Sequence, residues 1–409
     1  TMVNVPKVGI EFREVNGGSI RNCRINGNTP SSIFTGTETG HAGILVDVSS
    51  VEPQGDFIIT GNRVQTCVQG ILFGNFGAGT GEKGYVVSGN SLRSCWNHGI
   101  YASSPSGNGI AVTGNSVVRC QIPIALTGKH HSVTGNTIMT LGTGTGADKT
   151  GISMRNSQGC VVTGNTIKGE IADGTAAVSL TTTAGGYDIL NNIIADNVID
   201  ITSGNGAGIQ VKTTTGNMRD NIIDNNYVRC GGALYTGIIE VVSTSKSLGT
   251  RVTNNTVIHT GLGGGISINN SNHAVIAGNS IRLEADAGAA LIVGAIYIAA
   301  ANNTQIVNNK ICNTSDWGTN IAYRGIWEGA TVTNSYIAGN QLTYDMTKLA
   351  STYPYLMLSG SGSIVHGYGG APPAIPCQPG STWRNTAGGA GTSFYVKESA
   401  NTLATWQAK

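Results

Sequence analysis

Two short apolar and polar phrases alternate along most of the chain. The first has the form V-x-G-N-x-I and appears as IITGNRV, VVSGNSL, AVTGNSV, SVTGNTI, VVTGNTI and VIAGNSI, with looser copies such as IIADNVI, VTNNTV and IVNNKI. Its asparagines are Asn62, Asn90, Asn115, Asn136, Asn165, Asn197, Asn226, Asn255, Asn279, Asn309 and Asn340, spaced 21 to 32 residues apart. An earlier copy, SIRNCRI, fits the same frame with Cys23 in the Asn place. The second phrase falls between these as GIEF, GILV, GILF, GIYA, GISM, GIQV, GISI, AIYI and GIWE. Both phrases set apolar residues at every second position, the period of a strand with one buried face. Gly-Asn inside the first phrase tolerates left-handed backbone angles, so the chain can turn a corner there. A strand, a corner, another strand and a return after about 30 residues describe one rung of a parallel β-helix.

The pattern runs from roughly residue 9 to 345. It predicts an all-β fold: a right-handed, single-stranded parallel β-helix of about 12 rungs over residues 1–345. Residues 346–409 lose the pattern and pass through the Pro-rich break GAPPAIPCQPGSTW to SFYVKES and LATW, which read as a small β module. Such a tail caps an open solenoid end, and trimerisation is a second role open to it. Rungs stack about 4.8 Å apart, so the asparagines should form a hydrogen-bonded ladder with a structural purpose. Cys67, Cys95 and Cys120 each lie five residues after a ladder Asn, and are expected as a core stack of small apolar side chains. His130-His131 has no second pair at ligand spacing and reads as a surface turn.

Composition narrows the function classes. Gly accounts for 60 of 409 residues, Asn for 38, charged residues for 11% and apolar residues for 39%. Too little charge and too much Val and Ile argue against disorder. A net charge of +2 creates no field that would select nucleic acid. The longest uncharged apolar stretch, Ala287 to Ala301, is too short to span a bilayer and carries Gly288 and Gly294, and no signal peptide is legible. Eight cysteines without a CxxC pair exclude a zinc site on that spacing, and neither metal nor cofactor is expected.

The candidate chemistry lies in the connections. The stretch from ladder Asn to the next GI phrase is eight or nine residues early on, then 15 after Asn136, 12 after Asn165, and 16 after both Asn279 and Asn309. Long loops on one edge of a rigid solenoid are where function concentrates. Only 22 residues are acidic, and Asp286 and Asp316 each fall seven residues after their ladder Asn in loops of equal length. They should therefore stack on adjacent rungs, roughly 5 Å apart, the separation of a retaining glycosidase pair. Mutual repulsion would raise one pKa and leave a general acid. Glu328 completes this first choice of catalytic carboxylates. Asp148, Glu170 and Asp173, with Lys149 and Arg155 nearby, form the second choice. Tyr297 and Trp327 share one outward position on neighbouring GI strands, with Trp317, Tyr323 and Arg324 close by, so these five are the expected substrate-binding residues. Flat rings suit sugar faces and Arg suits a sugar carboxylate, although the same aromatic face would equally suit packing against a neighbouring subunit.

The GI-x-V and V-x-G-N-x-I rungs, together with the end GSTWRNTAGGAGTSFYVKESANTLATWQAK, resemble bacteriophage tailspike proteins. That resemblance implies a homotrimer with parallel β-helices, located on the phage tail and acting at the outer surface of the host bacterium. It also implies an N-terminal virion-attachment part ahead of Thr1 that contacts the baseplate or tail. The family's catalytic residues share no motif, so none is carried over. The polygalacturonase set is missing apart from NHG at Asn97 to Gly99, and so is the DPHE of alginate epimerases. The expected function is depolymerisation of a capsular or O-antigen polysaccharide, by glycosidic hydrolysis with paired carboxylates. A glycan-binding tail fibre or adhesin and a polysaccharide lyase are the alternatives. The expected partners are a bacterial surface polysaccharide and two further copies of the chain, with no nucleic acid and no membrane insertion.

Overall fold

The computed structural model describes residues 2–5, 8–13, 17–27, 42–47, 56–74, 84–102, 109–140, 149–172, 175–182, 187–203, 206–231, 238–260, 263–284, 293–313, 323–329, 331–343, 356–357, 364–369, 379, 381–385, 394–398 and 406–408. Its regular elements are all strands. No helix among the described residues is long and apolar enough to cross a membrane. Two compact units divide the chain, Thr1–Gly216 and Asn217–Lys409.

Each unit is a parallel β-solenoid with three strands per turn. In the first, one turn runs Phe57–Thr60, Arg63–Gln65, Gln69–Phe73. In the second, Arg251–Thr253, Thr256–His259 and Ile266–Asn272 repeat the plan. Strands leading into a ladder Asn stack as sheet C, those leaving it as sheet A, and the GI strands as sheet B. Sheet A takes eight successive strands in the first unit and five in the second, so the expected dozen rungs are off by about one. The corner expected at Gly-Asn thus divides V-x-G-N-x-I into two strands, one in sheet C and one in sheet A. The residue before each ladder Asn causes the break, with φ of +66° at Gly61, +62° at Gly89, +57° at Asp196 and +55° at Asn254. The second unit ends in a small sheet in which Thr382–Asn385, Phe394–Lys397 and Trp406–Ala408 pair antiparallel, as the tail's sequence suggests.

Register stacks like on like. Val64, Leu92, Val117, Ile138 and Ile167 are successive partners on sheet A, and Ile71, Ile100, Ile124 and Ile152 on sheet B. All are buried, each contributing about 2 kcal/mol by leaving water. The Gly of the GI phrase is a packing requirement: a Cβ on Gly99 would lie 2.5 Å from the Pro123 carbonyl oxygen and 2.6 Å from Val117 Cγ1.

Each corner has its own closure. At the C-to-A corner, Asn115 donates from Nδ2 to Val87 O at 2.9 Å and to Asn136 Oδ1 at 3.0 Å, while its backbone N–H also reaches Asn136 Oδ1. The same bonds recur from Asn62 to Asn90 and from Asn255 to Asn279, and Cys23 N donates to Asn62 Oδ1 as the sequence frame implied. At the A-to-B corner, Thr66, Ser94 and Arg119 are left-handed, and the following Cys67, Cys95 and Cys120 are buried in one column. At the B-to-C corner, His130, Gly159 and Asn191 are left-handed, and His131, Cys160 and Asn192 turn inward. This corrects the surface-turn expectation for half of the His pair. His130 is exposed, whereas His131 is buried, accepts from Ile110 N at 3.2 Å, and is pushed down to about 4 by burial.

Candidate functional site

Sheet B turns one residue per strand outward between two inward apolar ones. In the second unit this line contains Ser267, Tyr297 and Trp327, registered across successive strands. The strand Val293–Ala299 alternates Ile296, Tyr297 and Ile298, so the core holds both isoleucines and points the ring away. Tyr297 and Trp327 meet with centroids 4.6 Å apart at 48°, both half-buried. Close beside them, Gly329 would bring a Cβ within 3.0 Å of the Tyr297 hydroxyl, and Gly294 would bring one within 3.2 Å of Trp327 Cβ. The absence of side chains at these two positions leaves the ring pair room on both flanks. The pair makes a short aromatic platform with the phenol and the indole N–H as polar handles, suited to the C–H face of a sugar ring.

Glu328 stands apart from that platform. It is registered with Ile298, on the inward side of the strand, and has no exposed surface. Its carboxylate belongs to the interior of the turn, a position that apolar residues fill in the strand before it. The sequence pairing of Asp286 with Asp316, and Trp317, lie outside the described residues, as do the side chains of Tyr323 and Arg324, whose backbones open the strand Tyr323–Glu328. From the second-choice group, Glu170 ends the strand Thr166–Glu170 half-buried, while Asp148 and Asp173 fall outside the described residues. Lys149 uses its carbonyl to accept from Thr175 Oγ1 at 2.9 Å, which fixes the base of that connection.

Sheet B of the first unit carries a cluster that sequence reasoning missed. His98 Nδ1 donates to Gln69 Oε1 at 3.0 Å on the neighbouring strand, and its ring stacks on Tyr101 at 4.1 Å and 9°. Burial, and then the Arg155 cation, push His98 down to about 3. The imidazole is therefore neutral at neutral pH, with Nε2 free of a proton. Tyr101 in turn packs against the outward apolar group of Ala42, Leu45 and Leu72. The signal was present in the sequence as HGIY, which sets both rings on the one strand His98–Ala102.

The thiol column is closed chemistry. Burial pushes Cys67 up to about 11, and Cys95 is raised by its hydrogen bond with Cys120 and by burial. Cys67 and Cys120 donate to the carbonyls of Gln65 and Val118, and Cys67 and Cys95 sit as protonated thiols in the core.

Comparison with solved structures returns other parallel solenoids at low identity. The A-module of mannuronan C-5 epimerase AlgE4 from Azotobacter vinelandii is 13% identical, with TM-score 0.45, over 79% of this chain and 77% of that one. DFA-IIIase from Arthrobacter chlorophenolicus A6 in complex with DFA-III is 14% identical, with TM-score 0.44, over 76% and 72%. The same enzyme in complex with GF2 is 14% identical, with TM-score 0.43, over 85% and 87%. Likeness at this level carries nothing about the reaction. No curated protein matches the chain. Residues 23–237 match the family described as periplasmic copper-binding protein (NosD). That match spans just over half of the chain, and the protein belongs to the NosD family.

Proposed function

We propose that the protein is a polysaccharide-processing β-solenoid, cleaving a bacterial surface glycan on the outer face of sheet B. The observation that carries this reading is the Tyr297–Trp327 platform, held outward by register and kept open by Gly294 and Gly329. In this reading the two rings bind a sugar face, and the acid and the base come from the long connections that hold Asp286 and Asp316. A solenoid of this kind suits the tailspike arrangement, in which three parallel copies present the glycan-binding face on a phage tail at the host surface.

The test is release of new reducing ends from purified capsular or O-antigen polysaccharides, found first by halo formation on lawns of encapsulated strains. D286N and D316N should each lower turnover on a responding glycan by about 100-fold or more, the usual loss for a general acid or base. Unchanged turnover in both would remove that pair. Binding without new ends would leave a glycan-binding adhesin.

A lyase is the second reading, favoured by the neutral His98 stacked on Tyr101 near the Arg155 cation in the first unit. Its product would carry a carbon–carbon double bond absorbing in the ultraviolet, and Y101F would abolish it.

The family description's copper finds no home among the described residues. They contain no group of three or more His, Cys, Asp or Glu that could hold a metal. The stacked thiols would be the soft donors that copper prefers, yet Cys67 and Cys95 among them are held protonated. The reaction proposed here therefore takes no step through the metal.

A further inference from the structure

Sheet A of the first unit turns a row of cations outward. Register sets Arg24 beside Arg63, Arg63 beside Ser91, and Gln65 beside Arg93. Arg93 is registered in turn with Val118, directly before the left-handed corner residue Arg119. Across the opposite corner, Arg21 ends the sheet C strand Gly18–Arg21, three residues before Arg24. All five are exposed. Arg24 and Arg63, registered on adjacent strands about 4.8 Å apart, stand side by side, and Arg93 lies diagonally across on the next strand. Among the described residues none of the five has a carboxylate partner. Further along the same sheet Lys168 is registered with Asp200, so charge is balanced there and not here.

Two further features, one on this face and one just past its A-to-B corner, point to a sugar chain. Beyond Arg63 the outward line continues as Ser91, Ser116, Thr137 and Thr166, a file of hydroxyls. Trp96, three residues after Arg93, is 43% exposed, although Val68 at the equivalent place one turn earlier is buried. Guanidiniums fork onto carboxylate or sulfate, hydroxyls exchange hydrogen bonds with sugar hydroxyls, and an indole covers a ring face. A nucleic acid would ask for a file of rings to stack its bases, and this line offers hydroxyls instead.

We infer that this face binds an anionic polysaccharide, with Arg24, Arg63 and Arg93 on its acidic groups and Trp96 against a ring. The inference goes beyond the cleavage reading: it concerns a different sheet in a different unit, and its readout is retention, not turnover.

The experiment is affinity electrophoresis of the full chain through gels containing polygalacturonate, dextran sulfate, neutral dextran or a single-stranded oligonucleotide. Polygalacturonate or dextran sulfate should retard the protein, neutral dextran should not, and added salt should weaken the retardation. R63Q and R93Q should each weaken binding by about tenfold, the loss of one charge-assisted contact, with R63K in between. W96A should weaken it by a smaller factor. These side chains point to solvent, and circular dichroism would confirm that the variants fold. Failure of both anionic polymers to retard the protein, or an R63Q/R93Q double variant that binds as well as the parent, would overturn the inference. Tighter binding of the oligonucleotide than of either polymer would overturn it in favour of a nucleic-acid face. None of these outcomes bears on D286N or D316N turnover.

Discussion

The C-to-A corner and the A-to-B corner answer the same geometric problem with different strength. Every described C-to-A corner is two residues long, a left-handed residue followed by the ladder side chain. Inner ladder asparagines bind across turns through both amide and backbone, at 2.8–3.0 Å in the case of Asn165. The A-to-B corner is sealed by Cys67, Cys95 and Cys120, whose thiols make weak bonds of 3.4 Å for Cys67 and 3.8 Å for Cys120. After Asn136 the chain lengthens on the A-to-B side and nowhere at the ladder. A corner closed by several buried hydrogen bonds tolerates no insertion, because each added residue would strand a donor or acceptor. The corner closed by small apolar packing can open, and the acidic residues at 148, 173, 286 and 316 all fall in sequence on that side.

Replacing a ladder residue should therefore have the largest effect. N165L would take the partner from Asn136 N and from Val133 O, and one of their bonds each from Asn136 Nδ2, which keeps Val112 O, and Asn197 Oδ1, which keeps the residue-165 N–H. Two buried polar groups left unpaired, with two more that each lose a bond, should cost about 4 kcal/mol. Urea unfolding would show it as a large drop in midpoint. A loss below about 1 kcal/mol would mean that the ladder merely decorates a solenoid held by its apolar stacks.

The A-to-B side offers the next test, through the residue that follows its corner. His98 is held neutral, with its folded value near 3 against 6.5 in the open chain. The unfolded state then binds more protons between these values, so stability from this group is full above pH 6.5 and is lost as pH falls toward 3. The loss at pH 4 should be on the order of 3 kcal/mol. H98Q should flatten part of that acid-side slope in pH-dependent thermal melts. His131, pushed down to about 4, should supply the remainder.

The two corners also differ in how far the sequence disclosed them. The ladder was legible in full, down to Cys23 standing in for Asn, because its residue type, spacing and left-handed neighbour all recur. The thiol stack was legible from a constant offset of five residues. His131 was not, since its line along the B-to-C corner mixes His, Cys, Asn, Thr, Ala and Ser, joined by burial and not by chemistry. Glu328 misled for a related reason: the period of two marks which residues share a side, yet Glu328 occupies a side where Ile is the norm. The Gln69–His98–Tyr101 contact joins two neighbouring strands, so HGIY contains its ring pair but not Gln69. By contrast, Tyr297 and Trp327 were found because identical phrases placed them at identical positions.

Two glycines give the smaller effects and separate space from backbone. At Gly99, just past the A-to-B corner, an added Cβ meets the Pro123 carbonyl oxygen and Val117 at 2.5 and 2.6 Å. G99A should cost about 2 kcal/mol through overpacking, because the neighbouring turn's backbone cannot give way. At Gly89, the left-handed residue of a ladder corner, an added Cβ would meet nothing within 4 Å. Only the φ of +62° opposes substitution there, so G89A should cost about 1 kcal/mol. G89N should cost less, because Asn already fills this position before Asn226, Asn255 and Asn309 with φ between +51° and +56°. Parallel chemical denaturation of the three variants checks the order. A G89A loss as large as that of G99A would show that the ladder corner is tight in space as well as in hydrogen bonding, and its contrast with the A-to-B corner would then extend to packing.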